Sequence, residues 1–155
     1  MSDIYRRFLL FPDILIMLVL LIGISSYTIA QPFHWSILLF FCLGLIVFSF
    51  SEYLTHRFLF HLPPPKNALG RKLLKRLHYD HHAHPNELHL LFLPIWYSLP
   101  NLGFFAGLTY ILTQSIVLTA AAASGLIVML LVYEWKHYVA HVPLKPRTRF
   151  GKWMK

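Results

Sequence analysis

Four stretches of this chain are too long and too apolar to be at ease in water, and they constrain its fold more than any other feature. A bilayer core about 30 Å thick needs roughly 20 apolar residues per helix. Residues 8–27, 35–55, 97–113 and 115–136 meet or approach that length. The third is the least regular, because Pro94 and Pro100 interrupt an apolar run over 90–112. A partly interfacial segment over 90–100, leading into a short span from about Asn101, is therefore predicted. With 57% hydrophobic and only 13% charged residues, the composition lies far from that of a soluble domain. The expected architecture is a single all-α membrane domain over 1–155, with four transmembrane helices in two hairpins. Arg6 and Arg7 ahead of the first run also suit a signal peptide. That run is long, however, and residues 24–30 offer a poor small-residue cleavage site. Cys42, the only cysteine, falls in the second span, which excludes an intrachain disulfide framework.

A net charge of +8 raises the question of nucleic acid, and its distribution answers it. Arg6 and Arg7 precede the first span. Arg57, Lys66, Arg71, Lys72, Lys75 and Arg76 follow the second, and Lys136, Lys145, Arg147, Arg149, Lys152 and Lys155 follow the fourth. The intervening turns, 28–34 and 113–115, contain no Lys or Arg. By the positive-inside rule both termini, a loop over 56–90 and a tail over 137–155 face the cytoplasm. The basic excess is a topology signal whose partner is the anionic membrane surface, with no nucleic acid implied.

The two halves repeat one another weakly: two spans, a glutamate, a pair of histidines, a proline and a basic amphipathic segment. Glu52, His56, His61 and Pro63 correspond to Glu134, His137, His141 and Pro143. Lys72-Leu73-Leu74-Lys75 resembles Lys152-Trp153-Met154-Lys155, but only the first of these runs on into His78.

Seven of the ten histidines fall into three tight groups at the cytoplasmic ends of the spans. His78, His81 and His82, at i, i+3 and i+4, share one helix face, as do His137 and His141 at i, i+4. His56 and His61, at i, i+5, diverge by about 140° on an ideal α-helix. They converge only if the helix end unwinds, which Pro63 favours, or if metal sits between them. Neutral imidazole suits iron, zinc, copper and nickel, and one ion rarely takes more than six ligands. Seven histidines therefore point to two metals. For any single histidine, a basic or interfacial surface position is the ordinary reading; the three groups together outweigh it. His84 and His89 are possible additional ligands, otherwise interfacial or substrate-side, and His34 beside Trp35 is an interface residue on the opposite face. Glu52, Glu134 and Asp80 are too few for a carboxylate-rich site. They are expected either to receive the second N–H of ligating histidines or to be solvated charges at helix ends. Phe92, Trp96 and Tyr97 are expected to line acyl access to the metals or to serve as an interfacial aromatic anchor.

Glu52-Tyr53-Leu54-Thr55-His56-Arg57-Phe58-Leu59-Phe60-His61, followed by His78-Tyr79-Asp80-His81-His82 and His137-Tyr138-Val139-Ala140-His141, resembles the fatty acid hydroxylase and sterol desaturase superfamily. The spacing of the first box is most similar to the fatty acid 2-hydroxylase branch. The resemblance implies two iron ions among these histidines, with zinc able to substitute in purified protein. It also implies O2 as co-substrate, a lipid or fatty acyl substrate, and a separate electron-donor protein. Position favours carbon 2 of an acyl chain, since helix ends lift the site only slightly above the bilayer. The superfamily closes its site with a further His-x-x-His-His box, which is absent here; the repeat would place it just beyond Lys155, so a truncated or divergent chain is expected.

The competing readings are sterol or carotenoid oxidation at the same kind of site, a non-catalytic metal-binding or scaffold protein, a metal transporter and a bis-histidine haem protein. A transporter carries its ligands near mid-bilayer, whereas these histidines lie at span ends. Haem needs two axial ligands and leaves most of the set unexplained.

Overall fold

The computed structural model describes residues 3–61, 63–84, 87–142 and 148–154. Pro143, Lys145, Arg147 and Lys155, which carried part of the repeat and charge reading, lie outside them. The fold is all helical among the described residues, and four helical stretches are long and apolar enough to cross a bilayer: Pro12–Ile29, Trp35–Phe60, Leu88–Thr113 and Ile116–His141.

Local chemistry explains where the helices begin. A short helix α1 (Asp3–Leu9) precedes α2 (Pro12–Ile29), which opens with proline in its first turn, where no intrahelical donor is lost. His34 caps α3 (Trp35–Leu54), its ring accepting from the Ser36 amide at 3.3 Å. A π-helical turn over Thr55–Phe60 continues α3. Asn67 caps α4 (Ala68–Leu74), which passes through a second π-helical turn, Lys75–Tyr79, into α5 (Asp80–Ala83). The short α6 (Leu88–Leu91) leads to α7 (Ile95–Thr113). Gln114, at φ 52°, makes a tight turn, and Ser115 caps α8 (Ile116–His141). A last helix, α9, covers Arg149–Met154.

The third crossing segment departs from expectation. Pro100 does not end the helix: it lies inside α7, which starts at Ile95 directly after Pro94. As the sixth residue of α7 it forfeits the hydrogen bond an amide there would give the Trp96 carbonyl, a loss that membrane helices tolerate. The second and fourth stretches also run on, to Phe60 and His141, carrying His56, His137 and His141 on continuous helical backbone and His61 directly after it.

Helices α3 and α8 form the centre of the bundle, and small residues bring them together. A Cβ on Gly44 would collide with the Ala122 carbonyl oxygen, and one on Gly125 with the Phe41 carbonyl oxygen. Such close backbone approach is how membrane helices gain contact where apolar burial supplies no drive. Gly44 lies beside Ala122 and Leu126, Gly125 beside Phe41 and Leu45, and the Phe48 and Tyr133 rings are 6.4 Å apart. Residue numbers rise together along both helices, so α3 and α8 run in the same direction and nearly in register. The weak repeat in the sequence thus corresponds to two hairpins whose second helices are equivalent partners.

Two apolar clusters complete the packing. One gathers Met17, Phe48, Phe60, Leu102, Leu126 and Leu130 within the bundle. The other gathers Phe8, Ile14, Leu91, Phe92, Tyr138 and Val139 near the histidine end. There the Tyr138 hydroxyl donates to the Ile4 carbonyl at 3.0 Å, and Tyr5 stacks on Trp135 at 5.2 Å. Helix α1 is thereby fastened to the last turns of α8.

Candidate metal centre

The π-helical turn resolves the awkward spacing of the first histidine pair. A π turn closes i→i+5 hydrogen bonds, so residue i+5 returns close beneath residue i. His56 and His61 accordingly face one another with ring centroids 5.1 Å apart. His78, carried on the second π turn, completes a triangle at 4.9 Å from His56 and 4.7 Å from His61.

His81, His137 and His141 form a second triangle: His81 lies 4.6 Å from His137 and 4.9 Å from His141, and the last two rings are 5.3 Å apart. Within each triad one nitrogen from each ring lies within 4.8 Å of the others. The central box therefore serves both groups, His78 on one side and His81 on the other. His82 stands beside His78, their Nε2 atoms 3.0 Å apart.

The donor chemistry fits metal. The Nε2 atoms of His81 and His137 approach to 3.0 Å, a separation at which two imidazole nitrogens share a proton or a cation. His81 is buried, and among the described residues its Nδ1 has no hydrogen-bond partner. Burial, with the imidazoles of His82, His56, His61 and His81 around it, pushes His78 down to about 4. Burial and then His141 push His81 in the same direction. Both shifts favour the neutral ring, the form that ligates metal.

The other candidate residues are placed as follows. His84 and His89 are exposed and belong to neither triad; His89 faces Glu87 at 3.5 Å. His34 caps a helix at the opposite end. Glu134 is 2% exposed and accepts the Leu93 amide at 3.0 Å, so it pins the segment after α6 to α8 instead of meeting a histidine through that oxygen. Glu52 is buried one turn before His56, where the Tyr133 hydroxyl donates to its carboxylate. Asp80 lies 3.9 Å from Lys75. Phe92 is buried against Phe8, Phe11 and Tyr138; Tyr97 stands 6.2 Å from Phe60, and Trp96 is about half exposed.

Two cavities meet these histidines. One, of about 430 Å³, is walled by histidines of both triads and roofed by Leu90, Leu91, Phe92 and Leu93. The other, of about 760 Å³, opens between the upper parts of α3 and α8; Phe48, Tyr53 and Met129 give it an apolar wall. His56, Tyr133 and His137 line both. Sequence reasoning missed this second cavity. Its trace was the stripe Met129, Tyr133, Lys136, His137 on α8, matched by Phe48, Glu52, Tyr53 and His56 on α3, each at spacings that keep residues on one helix face.

Comparison with known proteins agrees with this arrangement. Residues 41–155 match the fatty acid hydroxylase family. Human (Homo sapiens) fatty acid 2-hydroxylase is 34% identical over 119 residues, covering 76% of this chain and 31% of the relative. The rat (Rattus norvegicus) fatty acid 2-hydroxylase is 35% identical over 105 residues, 65% of this chain and 27% of its own length. A dihydroceramide fatty acyl 2-hydroxylase of Arabidopsis thaliana is 32% identical over 111 residues, 69% of this chain and 45% of its own. The chain thus spans less than half the length of each of these relatives. No solved structure matches it significantly.

Proposed function

The chain belongs to the fatty acid hydroxylase family, and on that premise we propose that it hydroxylates a fatty acyl chain at carbon 2, using O2 and electrons from a separate protein. The observation that carries this reading is the pair of histidine triads held at one end of membrane-length helices, beside an apolar cavity. His56, His61 and His78 would hold one iron and His81, His137 and His141 the other, with His82 at hand beside His78. Iron so held would supply activation of O2, so that one oxygen atom is inserted into a C–H bond and the other is released as water with two electrons and two protons from the donor.

The protein's own contribution is position and dryness. The π turns aim the imidazoles inward, and the segment 90–93, fastened by Glu134, roofs the histidines against water. The larger cavity, sharing His56 and His137 with the metal cavity, receives the acyl chain from the bilayer. Both termini and the metal centre lie on the cytoplasmic side, as the distribution of Lys and Arg requires, and the electron donor docks there.

The test is expression of the chain in cells that make no 2-hydroxy acyl lipids, with lipid analysis by mass spectrometry and metal analysis of the purified protein. The expected result is 2-hydroxy acyl product and two metals per chain. Oxidised sterol or carotenoid with no 2-hydroxy acyl product would overturn the substrate assignment. No oxidised lipid together with fewer than two metals per chain would favour a metal-binding scaffold.

A further inference from the structure

We propose that α4 is a lipid-docking helix: Leu69 and Leu73 enter the edge of the bilayer, Lys72 meets the phosphate of an anionic phospholipid, and the docked helix steadies the central histidine box. The docking stands apart from the hydroxylase reading; its effect on the histidines rests on the metal centre in that reading.

Helix α4 has one apolar arc, and only part of it is covered. Leu74 is buried in the same cluster as Phe60, Leu93 and Leu102, which fixes the helix beside the ends of the crossing segments. Leu69 and Leu73 continue the arc but are 70% and 40% exposed. Phe58 and Leu59, on the last turn of the second crossing, are exposed as well. Single surface leucines are ordinary. A pair at i, i+4, on a helix whose neighbouring side is buried in a membrane bundle, lies where the bilayer edge is the available cover.

The cations are arranged to match. At about 100° per residue, Lys72 lies roughly 80° from the line midway between Leu69 and Leu73, on the side away from Leu74, whereas Arg71 lies opposite that line. A lysine beside an apolar face lays its stem along hydrocarbon and keeps its ammonium among the headgroups. Lys72 and Arg71 are both exposed, and among the described residues neither has an ion pair. Lys72 therefore has its charge to give to a phosphate. An acidic protein docking from the cytoplasm would engage Arg71 and leave the leucines uncovered, so the leucines favour lipid.

The docked helix is coupled to the histidines by the chain itself. It passes directly into the π turn Lys75–Tyr79, which carries His78, and then into α5 with His81 and His82. Arg76 on that turn donates to the His89 carbonyl at 2.7 Å, immediately before the roof over 90–93. Holding Leu69 and Leu73 in the bilayer thus restrains both the central box and its cover.

The full chain with Cys42→Ser and Leu73→Cys, labelled at position 73 with the fluorophore NBD, is metal-loaded in nanodiscs of phosphatidylcholine, alone or mixed with phosphatidylserine. A doxyl group on the lipid acyl chains is expected to quench the label, more strongly in the mixed discs, and a chelator to strip metal more slowly there. Lys72→Gln should lower docking roughly fivefold, the worth of one cation near an anionic surface, and Arg71→Gln much less. Metal content and thermal unfolding of each variant are measured alongside, and a label at Leu69→Cys serves if Leu73→Cys does not fold. No quenching in either lipid, or equal losses from Lys72→Gln and Arg71→Gln, would overturn the docking. Release of the quenching by soluble polyglutamate would do so too, and would assign this face to an acidic protein. Quenching with the same rate of metal loss in both lipids would leave the docking and overturn its effect on the histidines. Docking in a protein that makes no 2-hydroxy product would stand, and the hydroxylase reading alone would fall.

Discussion

His81 shows how much one residue contributes at this centre. It is buried, its Nε2 faces that of His137 at 3.0 Å, and among the described residues its Nδ1 has no hydrogen-bond partner. His81→Ala is expected to remove one of two metals, and His56→Ala the other, each read by elemental analysis of purified protein. Glu134 makes a different contribution. Its acceptance of the Leu93 amide predicts that Glu134→Ala costs about 1–3 kcal/mol by leaving a buried donor unpaired, measurable as a loss of unfolding stability in detergent; Glu134→Gln, which keeps an acceptor, should lose less. The metal-free protein should also be pH-sensitive. His78 is depressed from 6.5 to about 4, so the unfolded chain takes its proton first as pH falls. The stability from its neutral form is complete above 6.5 and is lost as pH drops from there towards about 4. Denaturant titrations at pH 7 and 5 should show the loss, and His78→Asn should reduce it. The histidines were legible one by one because metal chemistry constrains residue type and spacing together. Glu134's partner was not, since an amide 41 positions away leaves no mark in local sequence.

At the scale of elements, the π turn over Thr55–Phe60 is what makes an i, i+5 pair usable. The spacing of His56 and His61 on its own demanded some unwinding, and the proline run after it made a helix end plausible. The actual device, one wide turn that ends the helix, depends on the triad it completes. Deleting Phe58 would shorten the pair to i, i+4 and swing every following residue by about 100°, the α-helical step. Since His61 then leads a displaced chain towards His78, the deletion should lose the metal of the first triad and leave that of the second, again by metal analysis. Prolines were misleading in the third crossing segment: Pro100 was expected to interrupt it and instead lies within α7, since membrane helices tolerate the single hydrogen bond that proline removes. Between elements, Gly44 and Gly125 leave no room for a methyl group. Gly125→Val should separate α3 from α8 at a cost of about 1–3 kcal/mol, typical of overpacking, seen as a lower melting temperature and weaker metal retention.

Across the whole molecule, the hairpin order places α1 and the ends of α3 and α8 together, with His34 at the other end. Membrane-impermeant thiol reagents should therefore reach cysteines placed at Asp3 and Lys152 from one side and at His34 from the other. Four apolar stretches were evident from the sequence because the bilayer imposes length and composition locally. The parallel alignment of α3 with α8 was visible only as a faint repeat. The cavity between them left only the trace of two facing stripes, being a space made by two helices that touch below and part above. That arrangement carries a consequence for substrate range. Phe48 and Met129 stand one helical turn above Gly44 and Gly125, where the backbones meet, so the cavity has a floor. A longer tail cannot go deeper and must turn sideways into the lipid. The protein then measures an acyl chain from its head and leaves its far end uncounted, so saturated acids that differ greatly in length should be handled alike.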